Sequence, residues 1–246
     1  MSSSAVLDLA DLRRSCNQCS LRQLCLPAGI GMNEVDRLDR LVRRRRQVAR
    51  GEHLFRTGSA LGNVYVARDG SFKTVVTSEE GEQQVIGFHL PGELIGLDAL
   101  GDGQHRCDAV ALESARVCEV PLSELQQVAA QIPGLQRQLL RVIGRSMGRD
   151  QDHLEMLSRR HATDRVMLFL HSLSERYTAL GRDPDAFSLP MTREEIGSYL
   201  GLVIETVSRS FTKLQEDGTI AVRGRQVRLL QAAQLARRVH LDGTTG

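Results

Sequence analysis

The spacing of apolar residues first indicates a helix near the beginning of the chain. Between Asn33 and Arg46, apolar side chains recur every three or four residues, which is the period of an amphipathic helix. These positions are Val35, Leu38, Leu41 and Val42. The segment finishes with the arginine run 43–46, which we interpret as the solvated, positively charged end of this helix.

From residue 51 to residue 121 the pattern changes to short runs rich in β-branched and aromatic residues. Examples are the runs 64–67, 72–76 and 84–89, which glycine-containing turn sequences separate. Many short strands at this spacing predict a small antiparallel β-roll or jelly roll. The expected fold class is therefore α+β, with the β-roll in the N-terminal part and helices after it.

After Pro133 the pattern becomes helical and stays so for about seven turns. Residues on one side step by three and four like the seam of a coiled coil, which predicts pairing with a second copy. They are Leu140, Ile143, Met147, Asp150, Leu154 and Leu157. Packing of this face on the chain's own β-roll is the alternative, and it suits Leu135 and Leu139. At a two-fold axis Asp150 would face its own copy, so we expect its charge to oppose association.

Residues 192–215 predict a helix-turn-helix. Thr192 and Glu195 have the spacing of a capping box, and Gly201 lies where the chain must turn between two helices. The second helix is expected from Ile204 to Glu216. One face of it carries side chains that can hydrogen-bond to base edges in the major groove of DNA. They are Glu205, Ser208, Arg209 and Thr212. The alternative is an exposed Glu205–Arg209 salt bridge on an ordinary surface helix.

A β-hairpin with a basic tip is expected after this helix. The runs 220–222 and 227–230 have strand-like composition, and Arg223 and Arg225 lie between them. In a wing beside the second helix, these two arginines would lie near DNA phosphates. They would then strengthen binding without sequence preference and make it depend on salt.

The overall charge says little about partners, whereas the hydropathy excludes a membrane protein. The chain has 32 basic and 30 acidic residues, a net charge of +2, so only the distribution of charge can indicate a polyanionic partner. There is no apolar run long enough for a membrane helix, and the first fourteen residues lack the apolar core of a signal peptide. We therefore expect a cytoplasmic protein with no membrane partner.

Three of the five cysteines fall within ten residues, which indicates a metal or redox centre rather than disulfides. Cys16, Cys19 and Cys25 lie in a loop-like segment whose shape a cofactor would fix. Iron–sulfur and structural zinc sites usually take four ligands, so one more is needed. The candidates are Cys118 in an alternating strand and Cys107 after a glycine-rich loop, with Cys107 the looser choice. Zinc and a two-cysteine redox switch remain alternatives to an iron–sulfur cluster.

Together these segments resemble the FNR branch of the CRP/FNR family of bacterial regulators. The resemblance covers nearly the whole chain and rests on the motifs CNQCSLRQLC, GFHLPGELIGLDALG, ESARVCEVP, RDQDHLEMLS and IGSYLGLVIETVSRSF. The chain departs from the family pattern at Val203 and Ile204, where small polar residues are common, and at Ser210, where an apolar residue is expected. These departures concern phosphate contacts and packing rather than the class.

For the cysteines, the resemblance implies that Cys16, Cys19, Cys25 and Cys118 bind a [4Fe–4S] cluster under anaerobic conditions, and it leaves Cys107 as an extra. Oxygen would convert the cluster to [2Fe–2S] or remove it. The homodimer would then lose its contact and release the DNA. The chain would thus be an oxygen-responsive transcription regulator and not an enzyme, with RNA polymerase as a further partner.

For DNA, the resemblance implies that Glu205, Ser208 and Arg209 read double-stranded palindromes with TTGAT-like half-sites. It also implies that no cyclic nucleotide binds. In the cyclic-nucleotide branch an Arg-Ser pair follows the Gly-Glu-Leu motif, whereas here residues 92–94 are followed by His105, Arg106 and Cys107 near that place.

We therefore expect four segments in the chain. They are a cysteine-rich cluster-binding segment (1–30), a β-roll sensor domain that resembles cyclic-nucleotide-binding domains (31–132), a dimerisation helix (133–160) and a winged helix-turn-helix DNA-binding domain (161–246).

Overall fold

The computed structural model describes residue 16, residues 19–42 and residues 44–231. The helices are α1 (Met32–Leu41), α2 (Leu122–Gln131), α3 (Pro133–Ser158), α4 (Ala162–Ala179), α5 (Arg193–Leu200) and α6 (Ile204–Glu216). The strands are β1 (Arg44–Val48), β2 (His53–Phe55), β3 (Asn63–Asp69), β4 (Phe72–Thr77), β5 (Gln83–His89), β6 (Leu94–Ile95), β7 (Asp108–Ala111), β8 (Ala115–Pro121), β9 (Ala186–Ser188), β10 (Ile220–Arg223) and β11 (Gln226–Leu229).

Two antiparallel four-stranded sheets form the β-roll. Their strand orders are β1-β8-β3-β6 and β2-β7-β4-β5. Apolar side chains from both sheets form one buried cluster, in which Phe72, Ile95, Ala109 and Val117 have no exposed surface. This burial is the main stabilisation of the sheet pair, since free energy is gained for apolar area removed from water. The prediction of an antiparallel β-roll in an α+β fold is confirmed.

The helix predicted up to Arg46 is shorter, and its basic end forms a strand. α1 ends at Leu41, and Arg44 begins β1, which pairs with β8. The guanidinium of Arg46 lies 3.4 Å from the carboxylate of Glu119 on β8. The predicted solvated helix end is therefore wrong, because this stretch finds both a strand partner and a counter-charge in β8. Arg43 lies outside the described residues.

The long helix α3 begins at Pro133 and continues for 26 residues, as predicted. Proline is tolerated in the first turn because the amide that it lacks would have no partner inside the helix. Leu135 is fully buried and Leu139 packs against the same core beneath the β-roll, as the sequence indicated for the start of the helix. No helix within the described ranges is both long and apolar enough to cross a membrane.

The β-roll and the C-terminal helices share one hydrophobic core. The ring of Phe88 on β5 packs at a tilt against Phe169 on α4 and Tyr199 on α5, with ring centroids 5.9 Å and 5.0 Å apart. Polar contacts continue this junction, because Ser198 on α5 accepts a hydrogen bond from the amide of Val85 at 2.8 Å. The first helix of the helix-turn-helix thus rests on the free edge of β5.

A partly buried ion pair also joins the β-roll to α4. The carboxylate of Glu93 accepts two hydrogen bonds from Arg176, at 3.0 and 2.8 Å, and the same guanidinium donates to the carbonyl of Phe88 at 2.7 Å. Arg149 of α3 lies 3.9 Å away. Burial alone would raise the pKa of Glu93, but Arg176 and Arg149 outweigh it and hold the pKa below its ordinary value. Glu93 therefore stays charged at neutral pH.

We expect Arg176→Met to lower the free energy of unfolding by about 3 kcal/mol, because the Glu93 carboxylate loses its hydrogen-bonded counter-charge and keeps only Arg149 at 3.9 Å. Urea unfolding followed by circular dichroism would measure the loss. Since the folded pKa of Glu93 is lowered, the pair stabilises fully above the ordinary value of 4.5 and the effect is lost as pH falls through the folded value. The difference between wild type and variant should shrink accordingly at acid pH.

Arg116→Met is the matched control, because Arg116 and Asp69 form an ion pair with 44% and 36% of their side chains exposed. An exposed pair of this kind contributes at most about 1 kcal/mol. Equal losses of unfolding free energy in the two variants would contradict the conclusion that the Glu93–Arg176 pair stabilises the contact between the β-roll and α4.

Candidate cofactor site and nucleic-acid interface

Four of the five cysteines line one pocket between the N-terminal loop and the β-roll. Cys16, Cys19 and Cys25 come from the loop, and Cys118 comes from β8. The fold thus brings together three residues that are close in sequence and one that lies far along the chain. These are the four positions that the family resemblance implies as the ligand set, and Cys118 is one of the two candidates for the fourth ligand that the sequence left open.

A series of tight turns shapes the loop. The amide of Arg22 donates to the carbonyl of Cys19 at 3.1 Å, and the amide of Cys25 donates to that of Leu21 at 2.9 Å. The amide of Cys16 donates to the Asp39 carboxylate of α1 at 2.9 Å. Leu26 packs into the core beneath the β-roll and is 2% exposed. Local turns, the contact with Asp39 and buried apolar side chains such as Leu26 therefore hold the loop against the fold.

The pocket has the chemistry of a metal-thiolate site. Leu21, Leu26, Val66 and Val120 supply apolar walls, and Arg22 and Arg68 supply positive charge at the lining. Burial raises the pKa of the Cys25 thiol; the Leu26 amide opposes this, and the nearby thiols of Cys118, Cys16 and Cys19 add to it. A buried neutral thiol is a poor nucleophile but becomes a thiolate when a metal binds it. The donor set and the flanking guanidinium groups therefore fit a negatively charged thiolate-ligated centre.

The described residues of the pocket are not arranged around one point where a single metal ion could bind. Among the residues that the structure describes, no group of three His, Cys, Asp or Glu side chains is close enough to hold one metal ion. All five cysteines are described, and none forms a disulfide. A zinc site needs four sulfur atoms about 2.3 Å from one point, whereas a cluster takes its ligands on separate iron atoms.

Cys107 lies outside this pocket. It is 2% exposed in the core between the two sheets, and its thiol donates to the Asp98 carboxylate at 3.5 Å. His105 beside it is buried, contacts Asp98 at 3.2 Å and stacks on Phe55 with 3.6 Å between ring centroids. Packing between the two sheets therefore surrounds Cys107, although it follows a loop. The structure places this less favoured candidate apart from the other four cysteines, whereas Cys118 lines the pocket with them.

The seam predicted along α3 is largely exposed in the single chain. Leu140, Met147 and Leu154 have 65%, 59% and 67% of their surfaces exposed. Ile143 is half-buried, and Asp150 is exposed between them. Large apolar side chains in a continuous exposed stripe are unusual on a monomer and mark an interaction surface.

Leu157 at the end of the seam is half-buried rather than exposed. A Cβ built on Gly201 would lie 3.7 Å from its side chain, so Leu157 faces the turn of the helix-turn-helix in its own chain. The stripe that is open to a partner therefore runs from Leu140 to Leu154.

The helix-turn-helix forms as the sequence predicted. The hydroxyl of Thr192 accepts from the amide of Glu195 at 3.1 Å, and the Glu195 carboxylate accepts from the amide of Thr192 at 2.7 Å, which completes the capping box. Gly201 has a φ of 63°, in the left-handed region that favours glycine. Gly197 was missed in the sequence. A Cβ there would lie 2.5 Å from the carbonyl of Leu202, so only glycine permits this close turn.

The face of α6 that the sequence predicts to read bases is open to solvent. Glu205, Ser208, Arg209 and Thr212 are all exposed on it, while Val207 is buried on the opposite side. The three positions at which the chain departs from the family pattern differ in burial. Ser210 is buried and donates to the carbonyl of Thr206 at 2.8 Å. Val203 and Ile204 at the beginning of the helix are 64% and 44% exposed.

The two arginines predicted for the wing differ in their surroundings. Arg223 is exposed at the end of β10, at the tip of the hairpin that β10 forms with β11. Arg225 donates to the carbonyl of Leu189 at 2.8 Å and also to that of Pro190. Part of the donor capacity of Arg225 is thus used within the chain, where it ties the wing to the segment before α5. Arg223 is the better placed of the two for a phosphate.

Comparisons with known proteins agree with this geometry. Residues 45–132 match a family model described as a cyclic nucleotide-binding domain, and residues 164–238 match one described as a Crp-like helix-turn-helix domain. The transcriptional activator protein Anr of Pseudomonas protegens is 44% identical over 220 residues, which cover 89% of this chain and 90% of that protein. The fumarate and nitrate reduction regulatory protein of Escherichia coli is 39% identical over 212 residues, which cover 86% and 85%.

Among solved structures, FixK2 from Bradyrhizobium japonicum superimposes with a TM-score of 0.71 at 29% identity, covering 79% of this chain and 96% of that one. The same order of β-roll, long helix and helix-turn-helix, and relatives about 40% identical over most of the chain, lead to one assignment. The chain belongs to the CRP/FNR family and is a DNA-binding transcription regulator, not an enzyme.

Proposed function

We propose that this regulator senses oxygen through a [4Fe–4S] cluster bound by Cys16, Cys19, Cys25 and Cys118. The observation that carries the proposal is the convergence of these four thiols, from two distant parts of the chain, on one pocket. The names of its relatives support it, since the Escherichia coli relative is called a fumarate and nitrate reduction regulatory protein. The proposed cluster-binding segment is 1–30, followed by the sensor domain (31–132), the dimerisation helix (133–160) and the DNA-binding domain (161–246).

The state of the pocket would affect DNA binding by changing how strongly two copies of this chain associate. When bound, a [4Fe–4S] cluster supplies an oxygen-sensitive cross-link between the loop and β8. The loop packs on the first turn of α3, because a Cβ added at Gly134 would lie 3.0 Å from the side chain of Ile30. A fixed loop would favour the form of α3 whose stripe from Leu140 to Leu154 pairs with a second copy. A ligand that binds the associated form better shifts the equilibrium toward it.

The resulting homodimer would bind palindromic double-stranded DNA in the absence of oxygen. Its two α6 helices would enter major grooves roughly 34 Å apart, at TTGAT-like half-sites. Glu205, Ser208, Arg209 and Thr212 would contact base edges, and Arg223, with Arg225 behind it, would contact phosphate. The bound dimer would activate transcription through RNA polymerase in the cytoplasm, where its DNA lies.

We propose no cyclic nucleotide as a ligand, although the β-roll matches that domain family. Near the place where the cyclic-nucleotide branch has its Arg-Ser pair, this chain has His105, Arg106 and Cys107. The carboxylate of Glu93 already binds Arg176, so it has a charged partner within the fold.

The test is anaerobic purification followed by an absorption spectrum and assays of iron and acid-labile sulfide. We expect a visible absorption band, roughly four irons and four sulfides per chain, and loss of the band with loss of dimer and DNA binding on exposure to air. Stoichiometric zinc, no visible band and DNA binding that persists in air would instead establish the structural-zinc alternative. A metal-free protein whose DNA binding responds to thiol reductants would establish a redox switch. Either result would reject the cluster.

Asp150→Ala should tighten the dimer of the cluster-free protein. Although Asp150 is exposed in the single chain, the neighbouring protein partly desolvates its carboxylate and raises its pKa; Arg149 and His153 oppose this, and a facing copy would disfavour the charge further. Two like charges about 4 Å apart repel by about 1 kcal/mol in water and about 4 kcal/mol near a protein surface, so we expect a dimer dissociation constant about 5- to 1000-fold lower.

Sedimentation equilibrium in air would measure this constant. Gln151→Ala is a suitable control, because Gln151 is exposed on the same helix and lies outside the seam. An unchanged monomer–dimer equilibrium in Asp150→Ala would refute the proposed place of Asp150 at the two-fold axis.

A further inference from the structure

One buried polar side chain connects the loop that carries Cys16, Cys19 and Cys25 directly to α3. We call this segment, residue 16 and residues 19–30, the cysteine loop. Gln138 is 1% exposed, and its Nε2 donates a hydrogen bond of 3.0 Å to the carbonyl oxygen of Cys25. Its Oε1 accepts from Arg141 at 3.3 Å. Both ends of the amide are therefore satisfied, which offsets the cost of burying it. No local pattern in the chain signals this contact, because the two residues are 113 positions apart.

The surroundings of Gln138 are otherwise apolar. Leu135 and Val142, which lie on the same side of α3 one turn away in either direction, are 0% and 5% exposed. They share a core with Leu26 and Ile30 of the cysteine loop. An apolar residue of the same length would fill this position without the need to satisfy an amide. A polar residue here thus gives directional contact rather than burial alone.

Gln138 also lies on the opposite side of α3 from the exposed stripe. It is two residues before Leu140, which corresponds to about 200° around the helix. Leu140 is 65% exposed. The helix is therefore interposed between the cysteine loop and the surface that faces a second copy. A shift of α3 that keeps the hydrogen bond from Gln138 to Cys25 must therefore move the cysteine loop and the exposed stripe together.

We propose that Gln138 is a positioning residue that makes association through α3 respond to the state of the cysteine loop. The carbonyl that it binds belongs to Cys25, one of the four pocket cysteines, so a reorientation of Cys25 changes the acceptor of this bond. The inference rests on the proposed function for the nature of what the pocket binds. It goes beyond that function in naming the contact that carries the response to α3.

The test compares Gln138→Met with Gln136→Met. Methionine has the length of glutamine and a good helix propensity but cannot donate to Cys25. Gln136 is exposed two residues earlier on the same helix, so its variant controls for the composition of α3. The measured quantities are iron and sulfide per chain, and the dimer dissociation constant with and without the cluster, obtained anaerobically by sedimentation.

We expect Gln138→Met to bind iron and sulfide in the wild-type ratio while its dimer responds less to loading. One hydrogen bond contributes about 0.5–1.5 kcal/mol, and a dimer contains two, so the change in dissociation constant on loading should shrink by about 5- to 150-fold. Gln136→Met should respond like wild type. A purely structural role for Gln138 would lower cluster content or stability in both states without altering this ratio.

A second measurement keeps the inference separate from the cluster itself. In the cluster-free protein, hydrogen exchange at the amides of Cys25 and Ala28, which bond to Leu21 and Cys25, should be faster in Gln138→Met than in Gln136→Met. If wild type binds no iron, the proposed function fails and this measurement alone decides whether Gln138 holds the loop. Unchanged loop exchange, or a wild-type dimer response in a loaded Gln138→Met, would overturn the inference.

Discussion

Cys118→Ser should yield a protein that folds but carries no cluster when purified without air. Cys118 lies on β8 and is the one pocket cysteine outside the loop, so its loss leaves three ligands on a single segment. Loss of a group that hydrogen-bonds to a metal ligand already lowers metal affinity about 10- to 100-fold, so loss of the ligand itself should lower it more. We expect the visible band, the dimer and site-specific DNA binding to disappear together.

Cys107→Ser is the matched control for this experiment. The same atom is exchanged, but Cys107 lies in the core between the sheets and contacts Asp98 rather than the pocket. A serine hydroxyl can keep that contact, so iron content and anaerobic DNA binding should match wild type. Full iron content in Cys118→Ser, or its loss in Cys107→Ser alone, would reject the proposed ligand set.

Arg209→Ala should weaken binding to a TTGAT-type palindrome by about 30-fold to 25,000-fold. Arg209 is exposed on α6 beside Glu205, where it can donate two hydrogen bonds to one guanine. Each such contact contributes about 1–3 kcal/mol of discrimination, and a dimer presents two of them. Binding to a duplex altered at that base pair should fall far less, so the variant should lose its preference for the palindrome. Fluorescence anisotropy with both duplexes would measure this.

Arg223→Ala removes the same charge from the tip of the wing, and its effect should differ in kind. A lost phosphate contact weakens binding to both duplexes by a similar factor. It also makes the slope of log affinity against log salt concentration shallower by about one per subunit. The ratio of the two affinities should stay that of wild type. If Arg209→Ala and Arg223→Ala gave the same pattern, α6 would not be reading base edges through Arg209.

Local sequence signals predicted the elements that depend on near neighbours. The capping box of Thr192, the turn at Gly201 and the start of α3 at Pro133 are each set by residues within a few positions, and the structure has all three. The grouping of Cys16, Cys19 and Cys25 with Cys118 came from the family resemblance rather than from spacing, because nothing local links β8 to the loop.

Contacts between distant segments explain what the sequence did not indicate. Arg46 joins a strand because Glu119 and β8 are beside it, and Cys107 is buried because two sheets close around it. The bonds from Gln138 to Cys25 and from Arg176 to Glu93 join residues 113 and 83 positions apart. No periodicity or motif carries such information, since the partners become neighbours only after the chain has folded.

The aromatic junction of Phe88, Phe169 and Tyr199 has a consequence for building hybrid regulators. Because α4 and α5 complete a core that β5 begins, the residues after 161 do not form an interchangeable module. A DNA-reading unit grafted from another regulator would bring its own side chains to the β5 surface and leave gaps or clashes there. Hybrids that also exchange the matching face of β5, or that replace only the exposed residues of α6, would avoid this mismatch.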